Sequence, residues 1–266
     1  KEVDCETDRS KNNYAFVGNK DTSFDIIQRL QPKAGGAGYN DETKTDYGFM
    51  FFENYDGYHF RSIRSLFELE PEFTYVKTEI SASDDLVIED YNFNSGNDIV
   101  LNAKSGLYNN ETTFIELDKT KITKVKFNMT ETADLALKPP KVPVNVEGKP
   151  SRIMLRVVDT GVHQHYEEND TSLENVQKFT DLAVYQNKSY ARFALLNTQT
   201  LNITVSLNPE LRAGQTILVR FPVSEYINKF GDEKSNDISG KYLISHLRHE
   251  FEGGKFRTHL RLIRDL

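Results

Sequence analysis

The sequence has no tryptophan and a single cysteine, Cys5, among 266 residues. One cysteine excludes a framework of internal disulfides, and no neighbouring motif marks Cys5 as a nucleophile. No stretch approaches the roughly 18 consecutive apolar residues of a membrane-spanning helix, so we expect no transmembrane segment. The lack of tryptophan also counts against a glycan-binding module, which needs exposed aromatic platforms, although 13 tyrosines remain.

Common catalytic and cofactor motifs are absent as well. The sequence contains no G-x-S-x-G, H-E-x-x-H, P-loop or G-x-G-x-x-G pattern, and these are the usual signals of serine hydrolases, zinc peptidases and nucleotide-binding proteins. With 40 acidic residues, spacing alone cannot single out a glycosidase pair. We therefore predict no catalytic residue, no cofactor-binding residue and no metal ligand, and a protein that is not an enzyme.

Charge and composition favour a strand-rich protein. The chain has 33 basic and 40 acidic residues, a net charge of -7, which argues against an electrostatic grip on nucleic acid. A hydrophobic content of 38% with a mean hydropathy of -0.58, and many Asn, Thr, Asp and Tyr residues, are typical of strands joined by polar loops. The length allows one large domain or two to three small ones.

The first residue, Lys1, is not a methionine, and no signal-peptide pattern follows it. We therefore expect the chain to be an excised or processed piece of a longer protein. Without a secretory signal, we interpret the five Asn-x-Ser/Thr sequons as incidental. They begin at Asn110, Asn128, Asn169, Asn187 and Asn202.

The run from Ser239 to Asp265 predicts a long β-hairpin whose turn is Gly253-Gly254, since two glycines supply the positive φ angles of a tight turn. The apolar positions that we assign to one face of each arm are Leu243, Leu247 and Phe251, then Phe256, Leu260 and Leu262. The outward positions of the second arm, which we expect to be solvated and cationic, are Lys255, Arg257, His259 and Arg261. Because such a hairpin cannot stand alone, it must complete a sheet or barrel.

Upstream, periodicity and turn residues predict alternating strands and short helices. The predicted strands or strand pairs cover residues 12–18, 47–60, 74–93, 112–128, 151–159, 200–207 and 215–222. The predicted helices are one capped by Asp21 or Thr22 and stopped at Pro32, a short helix or turn at 61–67, one at 97–104 ended by Gly106, and the longest at 173–196. Four prolines make residues 129–150 an extended connector or the edge of an insertion. Five or more strands after residue 196 predict a small barrel.

Two histidine pairs are candidate ligands. His163 and His165, with Glu167, Glu168 and Asp170 nearby, have suitable atoms for a metal, but the spacing lacks further fixed ligands, so a solvated polar loop is favoured. His246 and His249 are three apart on a predicted strand and therefore point to opposite faces. We expect one at the barrel surface and one packed within it.

The end of the chain is more basic than the rest. Its arginines are Arg212, Arg220, Arg248, Arg257, Arg261 and Arg264. A solvated sheet face explains them, and a protein interface is the alternative, because arginine fits carboxylates bidentately. Nucleic-acid binding is disfavoured by the acidic bulk of the chain.

The order of several short motifs resembles the baseplate hub protein of T-even-type contractile-tailed phages. Residues 12–34, NNYAFVGNKDTSFDIIQRLQPKA, precede residues 47–67, YGFMFFENYDGYHFRSIRSLF. Later, LRAGQTILVRFP at 211–222 and the hairpin at 240–265 resemble the tube-domain barrel of tail hub proteins and of type VI secretion spikes. The likeness is weakest over residues 131–173, and no single motif is diagnostic.

The resemblance implies an α+β, mainly β fold and a structural role. In that family three hub subunits, each with two similar barrels, form a ring that joins the tail tube to a membrane-puncturing spike, which often carries a lysozyme domain. Since only one barrel is found here, we expect the C-terminal portion of a hub subunit. The implied division is a peripheral α+β domain at 1–73, a tube-type barrel at 74–105 and 181–266, and an insertion domain at 106–180.

The implied partners are two further hub copies, the spike or lysozyme protein, and the tail tube or its initiator. DNA passes through the ring without sequence-specific binding, and an acidic channel lining would let it pass without sticking. The implied location is the virion tail, with assembly in the host cytoplasm. The alternatives are a tail-associated cell-wall glycan hydrolase, which needs a carboxylate pair about 5 to 10 Å apart in a cleft, and a glycan-binding module.

Overall fold

The computed structural model describes residues 5–7, 18–35, 47–78, 86–95, 99–116, 120–129, 150–158, 186–221 and 238–264. The described strands are β1 Cys5–Thr7, β2 Phe49–Asn54, β3 Gly57–Ser62, β4 Phe73–Val76, β5 Leu86–Ser95, β6 Asn109–Glu116, β7 Lys121–Asn128, β8 Arg152–Val158, β9 Gln199–Ser206, β10 Thr216–Arg220, β11 Gly240–Glu252 and β12 Lys255–Ile263. The described helices are α1 Ser23–Leu30, α2 Ile63–Glu68, α3 Ile99–Ser105 and α4, at residues 186–196. The predicted α+β, mainly β fold class is confirmed.

Six strands form a closed barrel in the order β10-β11-β12-β9-β5-β4. Four neighbouring pairs are antiparallel, and β4 pairs in parallel with both β10 and β5. The described chain after residue 196 carries β9, β10, β11 and β12. The barrel is closed by β4 and β5, which are contributed by an earlier part of the chain.

Side chains fill the interior of the barrel. Its buried cluster comprises Tyr75, Ile88, Leu201, Ile203, Val205, Leu211, Ile217, Val219, Tyr242, Ile244, Leu260 and Leu262. Both tyrosines keep a hydrogen bond despite burial: Tyr75 Oη accepts from Asn208 Nδ2 at 3.2 Å, and Tyr242 Oη donates to the Ile238 carbonyl at 2.6 Å. Burial raises the pKa of Tyr75. The barrel is therefore a packed core and not a pore.

The C-terminal hairpin is confirmed, with one correction to its faces. Gly253 and Gly254 have φ angles of 56° and 76° and join β11 to β12. A bulge between Ile244 and His246 shifts the register, and a bulge reverses the face on which later residues point. Leu243 consequently packs outside the barrel against α2, whereas Leu247 packs against the barrel core. Their assignment to one face was wrong, since alternation alone does not reveal the bulge.

The first sheet has the order β1-β3-β2. β2 and β3 form the predicted hairpin, and β1, a strand not predicted from the sequence, pairs in parallel with β3. Ahead of this sheet, Thr22 and Asp25 form a capping box at the start of α1, as predicted for Thr22. The sheet contacts the barrel at Gly214, which leaves room for the Phe52 ring, and Asn54 Nδ2 donates to the Ala213 carbonyl at 3.2 Å.

The third sheet has the order β7-β6-β8, with β8 parallel to β6. Gly106, with a φ of 82°, follows α3 directly, which confirms its predicted role in ending that helix. The buried face of the sheet packs on α4 through a cluster of Leu107, Tyr108, Phe127, Met129, Ala191 and Leu195.

Asn187 fixes α4 to this sheet. Its Nδ2 donates to the Val125 carbonyl at 3.0 Å, and its Oδ1 accepts from Thr112 Oγ1 at 2.5 Å. Asn110 Nδ2 in turn donates to the Asn187 carbonyl at 3.2 Å. Asn110 and Asn187 are both 1% exposed, so these two sequons lie in the packed interior, where a glycan would not fit.

Several predictions fall outside the described residues. They are the strand at 12–18, the first half of the helix at 173–196, most of the proline-rich connector, and the loop with His163 and His165. Residues 186–196 of that helix are confirmed as helical. Within the ranges given above, no helix combines the length and hydropathy needed to cross a membrane.

A comparison of two glycines tests the contact between the first sheet and the barrel. In Gly214→Ala the new Cβ would lie 2.4 Å from the Phe52 ring at a φ of 89°, whereas in Gly254→Ala it meets nothing within 4 Å at a φ of 76°. We expect about 1–2 kcal/mol of destabilisation for Gly254→Ala from backbone strain, and roughly 1–3 kcal/mol more for Gly214→Ala from overpacking. Urea unfolding measures both. Equal losses would contradict the close packing of Phe52 on Gly214.

A second comparison tests the polar link between α4 and the third sheet. Asn187→Ala leaves the buried Thr112 hydroxyl and Val125 carbonyl without their partner, so we expect a loss of about 1–3 kcal/mol in the free energy of unfolding. Asn197→Ala, at the exposed end of α4, removes a bond to the Phe193 carbonyl and should cost no more than about 0.5 kcal/mol. The measurement is again urea unfolding, and a loss below that of Asn197→Ala would refute the role given to Asn187.

Candidate interaction surface on the barrel

The outer face of β5, β9, β12 and β11 is polar across all four strands. Strand register places the outward side chains in cross-strand rows. One row is Arg248, His259, Thr204 and Asp90, and the next is His246, Arg261, Asn202 and Asn92. These eight residues line a shallow groove of about 400 Å³, together with Tyr91, Ile203, Leu247 and Leu260.

Along β9, side chains that point into the barrel alternate with side chains that point to its outer face. Leu201, Ile203 and Val205 point into the barrel core, so Asn202 and Thr204 point outward. On β5 a bulge between Ile88 and Asp90 shifts the register, so Asp90 points outward although it lies two positions after the buried Ile88. On β11 the bulge at Ser245 brings His246 opposite Arg261. The two bulges thus align polar positions on four strands.

His259 is the best-anchored side chain of this face. Its Nε2 lies 2.6 Å from Glu250 Oε2 on β11, and its Nδ1 lies 3.0 Å from Thr204 Oγ1 on β9. The hydrogen bond from His259 holds the pKa of Glu250 below its ordinary value, with Arg248 and Arg257 adding to the effect. The imidazole of His259 on β12 therefore connects three strands, since it contacts the Glu250 carboxylate on β11 and the Thr204 hydroxyl on β9.

A third row of outward side chains lies closer to the hairpin turn, and the charge of its arginine is neutralised by a carboxylate of the same chain. Glu89, on the bulge of β5, accepts from Arg257 Nε at 2.7 Å and from Ser206 Oγ at 3.3 Å. Arg257 and Arg261 are both on β12 and both outward, but only Arg257 has a carboxylate partner among the described residues.

The six arginines of the sequence analysis have different surroundings. Arg212 is paired with Asp56, Arg257 with Glu89, and Arg248 lies 3.7 Å from Glu250. The Arg264 guanidinium lies 5.8 Å from the centre of the Tyr242 ring. Within the described chain, Arg220 and Arg261 form no ion pair. Close ion pairs with described carboxylates account for Arg212 and Arg257, whereas Arg248 lies beyond hydrogen-bond distance of Glu250. Arg248 and Arg261 both line the groove.

The structure tests the prediction that His246 and His249 point to opposite faces of their strand. His246 is exposed beside Arg261, while His249 lies on the inward side, where its Nδ1 is 2.9 Å from the Oγ1 of the buried Thr258. The prediction of opposite faces is confirmed. Among the described residues no group of three or more His, Cys, Asp or Glu side chains could hold a metal ion. His163 and His165 lie outside the described residues.

The surface lacks the features expected of a glycosidase site. The groove contains one carboxylate, Asp90. A second, smaller concavity at the hairpin turn contains two, Glu250 and Glu252. Glu250 has a lowered pKa, whereas the acid of a glycosidase pair needs a raised one. The hydrolase alternative therefore gains no support from either concavity.

The glycan-binding alternative requires an accessible aromatic ring. Tyr91 is the aromatic residue that lines the groove. Its ring contacts Phe221 edge to face, with 4.8 Å between ring centres, and lies 5.8 Å from the Lys77 ammonium. No second Phe, Tyr or Trp side chain of the described chain lines the groove to extend this ring into a platform for a sugar.

Four residues of the groove were not predicted as surface candidates: Asp90, Asn92, Asn202 and Thr204. Each lies at an outward position of a predicted strand, and this alternation was the sequence signal that could have identified them. Their grouping depends on β5 and β9 being neighbours of the terminal hairpin, and strand neighbours that are far apart in sequence cannot be read from local alternation.

The Glu250–His259 pair makes a pH-dependent contribution to stability. Because the folded pKa of Glu250 is lowered, the contribution is fully present above the ordinary glutamate pKa of about 4.3 and is lost as the pH falls through the lower folded value. We expect Glu250→Gln to reduce the fall in Tm between pH 6 and pH 3, measured by circular dichroism. Glu252→Gln, whose side chain bonds to no other described residue, should keep the wild-type dependence. Identical pH profiles for wild type and Glu250→Gln would contradict this.

No protein-family model matches the chain, and no curated protein matches its sequence. Solved structures of similar fold include two tail proteins. The tail protein from Neisseria meningitidis MC58 is 14% identical with a TM-score of 0.51, over 98% of this chain and 61% of that one. The 43 kDa tail protein of prophage MuSo2 from Shewanella oneidensis is 9% identical with a TM-score of 0.50, over 99% of this chain and 59% of that one. The chain thus spans about three fifths of each protein and shares the fold of both tail proteins.

Proposed function

We propose that this chain is part of the central hub subunit of a phage contractile-tail baseplate, which joins the tail tube to the cell-puncturing spike. The observation that carries the proposal is the closed six-stranded barrel, in a fold similar over nearly the whole chain to two tail proteins. The order of motifs at residues 12–34, 47–67 and 211–222, which resembles the T-even hub, is a second support.

The domain division follows the same proposal. Residues 1–73 form a peripheral domain, residues 74–105 and 181–266 form the tube-type barrel, and residues 106–180 form an insertion. The hydrogen-bonded pairing of Ser95 with Gln199 supports a discontinuous barrel, because the chain leaves the barrel after β5 and returns to it at β9.

The packed interior limits how such a subunit can serve a tail. Since side chains fill the barrel, DNA cannot pass through it, and a channel has to be enclosed between barrels of several copies. This agrees with a hub in which three copies form a ring. The protein is then a virion component of the tail, assembled in the host cytoplasm with the spike and the tail tube as partners.

Exposed apolar side chains on the third sheet and at the hairpin turn of the barrel favour a protein that works in an assembly. On the outer face of the third sheet, Ile122, Ile153, Leu155 and Val157 are each between 62% and 69% exposed. Phe251 and Phe256 protrude at the hairpin turn, paired edge to face at 5.7 Å between ring centres.

The proposal predicts self-association into a trimer. We expect light scattering across a tenfold or wider range of concentrations to give three times the subunit mass, which for this chain alone is 30.6 kDa, and negative-stain images to show a ring with a central opening. The test uses the full-length protein, so that every domain is present. A species that stays monomeric or dimeric over the whole range contradicts the hub role.

A further inference from the structure

The groove on the barrel contains hydrogen-bonding groups that the described chain does not use. The side chains of Arg261, Asn92 and Asn202 form no hydrogen bond with another described residue, and the three are cross-strand neighbours in one row. A guanidinium offers five N–H donors in a fixed fork, and each amide offers donors and an acceptor. These groups are oriented toward one shared space of about 400 Å³.

The groove is cationic on a chain that is acidic overall. Two arginines, Arg248 and Arg261, line it against one carboxylate of the described chain, Asp90, at its far side on β5. Arg248 is 3.7 Å from Glu250, but the nearer partner of that carboxylate is His259, at 2.6 Å. The net charge of the whole chain is -7, so the positive sign of this groove is local.

The dimensions suit an extended chain. Neighbouring strands are about 4.8 Å apart, so the row from His246 across Arg261 and Asn202 to Asn92 spans roughly 14 Å. An extended peptide advances about 3.3–3.6 Å per residue, so the groove accommodates about four residues. The carboxylates of such a peptide would meet the arginines on β11 and β12, and its backbone would meet the amides on β5 and β9.

The chemistry favours a peptide over other anions. The arginine fork matches a carboxylate bidentately, and paired asparagine amides match the alternating N–H and C=O groups of a backbone. Tyr91 is the one described Phe, Tyr or Trp side chain that lines the groove, and its ring already has an edge contact with Phe221, so successive bases or sugars find no series of aromatic rings on which to stack.

We propose that this groove binds an extended, acidic segment of a protein partner, with Arg261 and Arg248 receiving its carboxylates and Asn92 and Asn202 its backbone. The proposal is independent of the hub role, because the groove lies within one barrel. It holds for a monomer as well as for a trimer.

The test uses fluorescence anisotropy with labelled hexaglutamate as the probe and labelled hexaglutamine as the uncharged comparison, at low and at physiological salt. We expect saturable binding of hexaglutamate, weaker at higher salt, and at least tenfold weaker binding of hexaglutamine. Arg261→Ser should weaken hexaglutamate binding about tenfold or more, because it removes a charge-assisted pair.

Arg257→Ser is the matched control. Arg257 is on the same strand and the same face, but it is paired with Glu89 at 2.7 Å and lies outside the groove. This variant should bind hexaglutamate within about twofold of wild type, since a charge already paired has little to give a ligand. Circular dichroism of both variants establishes that each is folded.

Three results would overturn the proposal. The first is no binding of hexaglutamate, or equal binding of both peptides. The second is an equal loss in Arg257→Ser and Arg261→Ser, which would mean a general surface charge effect. The third is equally tight binding of a single-stranded oligonucleotide of the same charge that is lost in Arg261→Ser, which would assign the groove to nucleic acid.

Discussion

Helix α4 contacts all three sheets through its buried polar and apolar side chains. Asn187 binds it to the third sheet by hydrogen bonds to β6 and β7. Lys188 donates to Tyr47 Oη at 2.7 Å, and Arg192 donates to the Tyr47 carbonyl at 3.2 Å, just ahead of the first sheet. Leu196 packs in a cluster with Ile63 of α2 and with Leu243 and Ile263 on the outside of the barrel. The helix therefore links the third sheet to the first sheet and to the barrel.

Local signals predicted much of the fold. The cap at Thr22, the Gly253-Gly254 turn and the helix end at Gly106 were all found, because each depends on the conformation of a few consecutive residues. The burial of α4 was harder to anticipate. Gln186, Asn187, Ser189 and Arg192 are polar yet no more than 8% exposed, and their partners, such as Tyr47 and Val125, lie far away in sequence.

The surface of the barrel was predictable only in part. The outward positions on β12 followed from alternation, so Arg257, His259 and Arg261 were placed on the correct face. Their difference in ion pairing was not predicted, because the partner of Arg257 is Glu89, which lies 168 positions away. The bulge at Ser245 has no local signature in the sequence, and it decides both where Leu243 packs and which histidine stands beside Arg261.

β5 and β9 are adjacent antiparallel strands, and Ser95 lies directly opposite Gln199. In a minimal barrel this position would be a tight turn, yet the chain places residues 96–198 there. An excursion that begins and ends at one strand pair leaves the strand order unchanged, and its loop-closure entropy grows only as the logarithm of its length. The barrel thus tolerates different lengths and contents at this point, so related proteins can exchange what they present there while their cores stay alike.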